Sequence, residues 1–153
     1  MTVVSFRKVK EPFGWLGNMS PHPVGYAPTA EHLFQCLRFD PKNGMSVILD
    51  ILKQKSPMAA KMVAKRYLDY AIIKPRSPED VDNMRKVVGL KIASHPSIAA
   101  DLALIPKDAQ IIEDSTNRPN ESGLFWGAAL QNGEWVGNNQ LGKIWMEYRQ
   151  LLP

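Results

Sequence analysis

The chain has 153 residues, 44% of them hydrophobic and 22% charged, with a formal net charge of +4 at pH 7. That size and composition fit one globular domain over residues 1–153, and no apolar run approaches the ~18–20 residues that a membrane span needs. The lone Cys36 excludes an intramolecular disulfide and any cysteine-based zinc site, and the modest positive charge suits an anionic ligand such as a phosphorylated nucleotide rather than standing contact with duplex DNA.

The opening "MTVVSFRKVKEPFGW" lacks an apolar core followed by a small-residue cleavage site, so no secretory signal is expected. With one cysteine, a reducing, cytoplasmic setting is expected. Val3 to Val9 alternates well enough to be a strand, and "EPFGWLGNMSPHPVGYAP" should be a long loop, a feature that compact domains keep mainly for function.

A first helix opens at Thr29, an N-cap residue, and runs to about Phe39. "MSVILDILKQK" is a second helix, and Ser56 with Pro57 starts a third. Ser77, Pro78 and Asp80 open a long fourth helix whose apolar stripe is Val81, Met84, Val88 and Ile92. "HPSIAADLAL" is a short helix ended by Pro106, and "AQIIED" a buried strand. "STNRPNES" is a polar loop, "LFWGAAL" and "EWVG" around "QNG" read as a hairpin or two short strands, and "QLGKIWMEYRQLL" is a terminal helix. Helices dominate and a few short strands accompany them, so the expected class is α+β, mainly α-helical.

In the first helix Ala30, Leu33, Phe34 and Leu37 share the core face, while Glu31, Gln35 and Arg38 fall on an adjacent stripe at i, i+4, i+7. Near the start of a helix the free N–H groups and the dipole favour an ionised carboxylate, so Glu31 is placed either to meet water or to stabilise a developing cation. Glu113 and Asp114 end a buried strand and enter a loop, as site residues or as a turn cap. Trp126 is a stacking surface or core. "GNNQLGK" brings Gly137, Asn139, Gly142 and Lys143 to a helix entry, where glycines admit a ligand and the N-terminus attracts phosphate. Lys61, Lys65, Arg66 and Lys91 would receive a diphosphate or simply meet water. His22, His32 and His95 have no metal-ligand spacing, so no metal is expected, and no Ser-His-Asp pattern is evident.

Together these stretches resemble the NADAR family, also called YbiA-like proteins. "YAPTAEHLFQCLRF", "SPMAAKMVAKR", "NMRKVVGLKIASHPSIAADLAL", "IIED", "FWG" and "GNNQLGKIWMEYR" are similar to six family blocks in the family's order, across nearly the whole chain. By position the matching residues are Thr29, Glu31, His32, Gln35, Lys61, Lys91, Glu113, Trp126, Gly127, Gly137, Asn139, Gly142 and Arg149. The resemblance implies a single NADAR/YbiA-like domain that hydrolyses the bond between a base-like amine and a phosphoribosyl or ADP-ribosyl group. One branch releases ribose 5-phosphate from early riboflavin-pathway intermediates, and another removes ADP-ribose from modified guanine in nucleic acid.

Two positions depart from the family. Arg38 stands where the family carries a lysine; arginine stays protonated and forms no imine with an opened ribose. "LGNM" replaces the family's Ser-Asn-Phe, so Asn18 matches and Met19 stands in place of the aromatic.

N-glycoside cleavage develops positive charge at the anomeric carbon, which a carboxylate stabilises while a second group protonates the leaving base or activates water. The expected roles are Glu31 as that carboxylate, Glu113 or Asp114 as the second acid–base group, and Arg38 and Lys143 as phosphate ligands, with Lys61 in the substrate-binding set. Gln35 and Asn139 would orient ribose hydroxyls, Asn18 would join the binding set, and Trp126 would stack on the leaving ring or shape its pocket. No cofactor, membrane or obligate protein partner is expected; the partner is a phosphorylated ribosyl small molecule, with nucleic acid only as an ADP-ribosylated substrate.

Overall fold

A computed structural model describes residues 2–153; Met1, where the expected domain begins, lies outside them. The class is α+β and mainly helical. The chain divides into two units, Asn18–Ser94 and Met1–Gly17 with His95–Pro153.

The Asn18–Ser94 unit holds four helices: α1 (Ala30–Cys36), α2 (Met45–Leu52), α3 (Pro57–Arg66) and α4 (Pro78–Ser94). Local chemistry sets their starts. The Thr29 hydroxyl accepts from the His32 N–H, the Ser56 hydroxyl from the Ala59 N–H, and the Ser77 hydroxyl from the Asp80 N–H. Pro57 and Pro78 follow two of these caps, where a missing N–H is harmless. Cys36, Phe39, Val47, Ile48, Ile51, Ala60, Val63 and Ala64 form the core between α1, α2 and α3. Inside it, burial pushes the Cys36 thiol up to about 12, so this cysteine is an apolar filler rather than a nucleophile.

Two helical boundaries and one face differ from expectation. α1 ends at Cys36 and continues to Phe39 only as a turn, and α2 ends at Leu52. The buried face of α4 is Asp80, Met84, Val87, Val88 and Lys91, not the stripe through Val81 and Ile92, which are half-buried. A charged residue sits near each end of this buried face. Apolar periodicity cannot register such a face, because burying it depends on partners elsewhere in the chain.

The second unit pairs β1 (Val3–Phe6) in parallel with β2 (Gln110–Glu113), Val3 opposite Gln110 and Phe6 opposite Glu113. β1 stops at Phe6, short of Val9, where the chain turns away. α5 (Pro96–Leu104) precedes β2. After β2 the segment read as a strand is a helix, α6 (Glu121–Trp126). The Asn120 side chain accepts from the Gly123 N–H and starts it, so "LFW" belongs to a capped turn, and only Ala129–Gln131 (β3) and Glu134–Val136 (β4) form the hairpin. Asn132 and Gly133 both have positive φ, 50° and 81°, as a two-residue turn matched to strand twist requires.

α7 (Gln140–Leu151) packs on β2. A Cβ at Gly142 would collide with the Ile111 carbonyl oxygen, so glycine is what lets this helix touch the strand. Trp145 is fully buried in this unit, donating to the Leu16 carbonyl at 2.9 Å and meeting Trp15 edge-on at 5.8 Å. No single helix among the described residues is long and apolar enough to cross a membrane.

Candidate functional site

The polar stripe of α1 does not face water. Glu31 is 7% exposed, His32 0% and Gln35 4%. Burying a carboxylate, an imidazole and an amide on one short helix is unfavourable unless each finds partners, so their partners define the site.

His32 is a fixture of the fold. Its Nε2 donates to the Gln54 carbonyl at 2.8 Å, which leaves Nδ1 to accept from the Thr29 hydroxyl at 2.8 Å. The ring thereby ties the cap of α1 to the chain beyond α2.

Glu31 is different. Desolvation pushes its carboxyl above the usual carboxylate value. Against that, the positive charge of Lys61, then that of Arg38, then a hydrogen bond from Gln35 and the nearby His32 favour the anion. Burial prevails, so this is a carboxylate short of compensation. Such an anion gains more from a cation forming beside it than a hydrated one would. Its backbone N–H is held by the Asn18 carbonyl at 3.1 Å.

Asn18 also reaches α4, where its Nδ2 contacts the Met84 sulfur at 3.1 Å, while its Oδ1 is buried without a hydrogen-bond partner. An orphaned buried acceptor on the residue that holds the Glu31 backbone suits a ligand hydroxyl. Lys61 of α3 is half-buried and faces the Glu31 carboxylate.

Arg38 does not have the role expected of it. Its Nε and Nη2 donate to the two carboxylate oxygens of Asp80 at 2.9 and 2.8 Å, and its Nη1 donates to Gln35 Oε1 at 3.2 Å. The guanidinium lies over the Phe34 ring, 4.7 Å from its centre. A fork already bidentate to a carboxylate is a poor phosphate ligand, which argues against the expected phosphate role of Arg38. Asp80 is fully buried and is the residue that sequence reasoning missed. Its position three residues past Ser77 marks a helix start equally well, and nothing local points to a partner 42 residues away.

A second buried polar contact lies on α4. Lys91 is fully buried and donates to the Ser20 hydroxyl at 2.8 Å, with His22 Nδ1 2.9 Å from the same oxygen. Desolvation lowers the Lys91 ammonium to about 7. Lys91 therefore pins the loop after Asn18 and is not exposed to receive a diphosphate; Lys65 and Arg66 are exposed.

The other unit holds the remaining expected residues. The Asn139 side chain bridges β2, its Oδ1 accepting from the Glu113 N–H at 3.1 Å and its Nδ2 donating to the Ile111 carbonyl at 2.9 Å. Its backbone is left-handed at φ 51°, which asparagine tolerates. The amide is thus a strut between α7 and β2, which fits a structural role better than a ribose ligand. A Cβ at Gly137 would strike Gly127 and Ala128, and one at Gly127 would strike Glu113, so these glycines let backbone approach backbone rather than a ligand. Arg149 directs its guanidinium to the carbonyls of Ile105, Ala103, Leu152 and Pro153, closing the end of the chain. Asp114 Oδ1 accepts from the N–H and hydroxyl of Thr116, an Asx turn. Glu113 is half-buried, Trp126 is buried with its ring edge-on to Phe125 at 4.9 Å, and Lys143 is exposed on the first turn of α7. Among the described residues no three His, Cys, Asp or Glu side chains cluster to hold a metal.

Comparison with known proteins gives the same picture by another route. The NADAR domain family model matches residues 5–153. An N-glycosidase of Nostoc punctiforme is 29% identical over 156 aligned residues, 96% of this chain and 90% of that protein. The NMR structure of the Escherichia coli protein YbiA is similar with a TM-score of 0.76 at 26% identity, covering 98% of this chain and 84% of that one. A match over that much of the sequence, with the Thr29-capped helix and the α7 strut in place, shows that the chain belongs to the NADAR family.

Proposed function

We propose that this chain hydrolyses the ribosyl–nitrogen bond of phosphoribosylated pyrimidine amines, early intermediates of riboflavin biosynthesis, releasing ribose 5-phosphate. It is a glycosyl-bond hydrolase, as its family and its similarity to an N-glycosidase indicate. The observation that carries the reading is Glu31, a buried, under-compensated carboxylate in the first turn of a capped helix.

The reaction follows from that environment. As the ribosyl–nitrogen bond lengthens, the anomeric carbon and ring oxygen take up positive charge. Glu31 stabilises that charge, an effect that one well-placed group supplies at about 3–4 kcal/mol. Lys61 binds the substrate phosphate, which Arg38, held by Asp80, is not free to do. The unpartnered Asn18 Oδ1 accepts a ribose hydroxyl. Of the two carboxylates at the end of β2, Glu113 is the better candidate for an acid–base group, because the Asp114 carboxylate already closes a turn. The reaction needs water and these side chains, with no cofactor, and a cytoplasmic setting suits its phosphorylated substrate.

The test is a substrate panel. Purified protein is given phosphoribosylated pyrimidine amines, ADP-ribosylated guanosine and NAD, and products are read by mass spectrometry. Ribose 5-phosphate and free pyrimidine amine are the expected products. Turnover of ADP-ribosylated guanosine alone would move the assignment to the ADP-ribosyl-base branch. Binding of NAD or ADP-ribose without turnover of any compound would overturn the enzymatic reading.

A further inference from the structure

We propose that Asp80 is a positioning residue for the Glu31 carboxylate, acting through Arg38 and Gln35. The proposal rests on the reading of Glu31 as the reacting carboxylate.

Asp80 is fully buried on α4 and engages on every side. Its two oxygens take Nε and Nη2 of Arg38 at 2.9 and 2.8 Å, and Oδ2 also accepts from the Arg76 N–H at 2.9 Å. Arg76 adopts a left-handed backbone at φ 64°, uncommon for a residue with a side chain, and in that conformation its N–H reaches Asp80. With two nitrogens fixed, the guanidinium plane is fixed, and Phe34 covers one face of it. The third nitrogen, Nη1, donates to Gln35 Oε1 at 3.2 Å. A guanidinium has donors only, so the amide oxygen of Gln35 must face Arg38. The amide nitrogen is then the Gln35 group left to turn toward Glu31, whose anionic form Gln35 favours.

The links from Asp80 to Arg38 and from Arg38 to Gln35 join side chain to side chain, and Arg38 and Gln35 both favour the Glu31 anion. A lysine at position 38 would offer one ammonium in place of a planar fork, and could not hold Asp80 bidentately while orienting the amide. The charged and titratable groups facing Glu31 are Lys61 from α3, His32 from α1 and Arg38 from the turn that follows α1, with Asp80 of α4 standing behind Arg38; α2 adds none to this set among the described residues.

The test uses D80N, R38Q and the double variant D80N/R38Q, in full-length protein labelled with carboxyl-13C glutamate. Two readouts are taken: the Glu31 titration by NMR, which needs no substrate, and kcat and KM on the best substrate of the panel. D80N leaves Arg38 unopposed, so Glu31 should titrate at lower pH than in wild type. R38Q removes a cation, so Glu31 should titrate at higher pH. In D80N, kcat should fall about tenfold to a hundredfold through misplacement of the carboxylate, with KM changed less than about threefold. In the R38Q background D80N should change kcat by less than about twofold, because its route to Glu31 is already cut.

An unmoved Glu31 titration in R38Q, or the same loss of kcat from D80N with and without Arg38, would overturn the proposal. If D80N alone does not fold, R38Q and the charge-balanced double variant carry the decision, and the double variant must match R38Q in titration and kcat. Glu31 shifts as described without turnover of any N-glycoside would keep the positioning role and sink the proposed function. Turnover with an indifferent Glu31 would do the reverse.

Discussion

α1 and α7 both bury conspicuously polar residues, and they use them in opposite ways. On α7 and at its entry, Asn139 and Arg149 direct their side chains to backbone groups, Asn139 to β2 and Arg149 to the ends of α5 and of the chain itself. In α1 and the turn after it, His32 also reaches a backbone carbonyl, but Arg38 and Gln35 bond other side chains, and Glu31 is left with burial outweighing its compensation. Backbone partners are fixed once the chain folds, so a side chain satisfied by them holds structure. Side-chain partners can be redistributed when a ligand arrives, and an under-compensated charge gains from one that brings the opposite sign. The family blocks at α1 and α7 therefore differ in what their buried polar side chains touch, a difference that the motifs alone do not display.

That contrast can be broken by substitution. Asn139→Ala should have the largest effect on stability. It leaves the Glu113 N–H and the Ile111 carbonyl unpaired in a buried strand and puts alanine in a left-handed backbone, destabilising by roughly 2–5 kcal/mol in urea unfolding. Loss of activity with unchanged stability would show the strut assignment to be wrong.

Next comes Lys91. Its folded-state value, lowered from 10.5 to about 7, means that the unfolded chain binds a proton in that window which the folded chain does not. Stability should therefore rise with pH between about 7 and 10.5, by at most about 1.4 kcal/mol per pH unit from this group, and Lys91→Met should flatten the rise. A flat wild-type profile across that window would contradict a desolvated Lys91.

Glu31 should show an effect of opposite sense. Its folded-state value is raised above 4.5, so the folded chain holds the proton more tightly, and stability declines as pH climbs from 4.5 through the raised value. Glu31→Gln should be more stable than wild type at pH 7 and should lose that advantage below pH 4.5. A destabilised Glu31→Gln at pH 7 would place Glu31 with the structural residues.

The smallest change belongs to Asp114→Ala, which opens an Asx turn at a loss of about 1 kcal/mol and should leave turnover intact. Glu113→Gln should lower turnover instead; the opposite pattern would exchange the two roles.

Much of the architecture was legible from neighbouring residues. Thr29, Ser56 and Ser77 announce three helices because capping is local, and Asn132–Gly133 announces a hairpin because a turn dictates its own backbone. α6 was missed because "LFWGAAL" is apolar enough for a strand; the available signal was Asn120, a capping residue placed just ahead of it. The parallel pairing of β1 with β2 and the Arg38–Asp80 and Ser20–Lys91 contacts join residues distant in sequence, so no window along the chain contains both partners. At the site, the spacing of Glu31, Gln35 and Arg38 was readable, whereas their burial was not, since that depends on what packs against the helix. The Arg38–Asp80 pair was hidden for the same reason: a free arginine and a clamped one look identical in a sequence.

The most direct measurement is single-turnover cleavage of a phosphoribosylated pyrimidine amine by wild type and by Glu31→Gln at pH 7, with folding of both checked by NMR. A carboxylate that meets the developing cation predicts that the rate of bond cleavage falls at least about a hundredfold in the variant while substrate binding stays within a few-fold. A folded Glu31→Gln that cleaves at the wild-type rate would contradict the account.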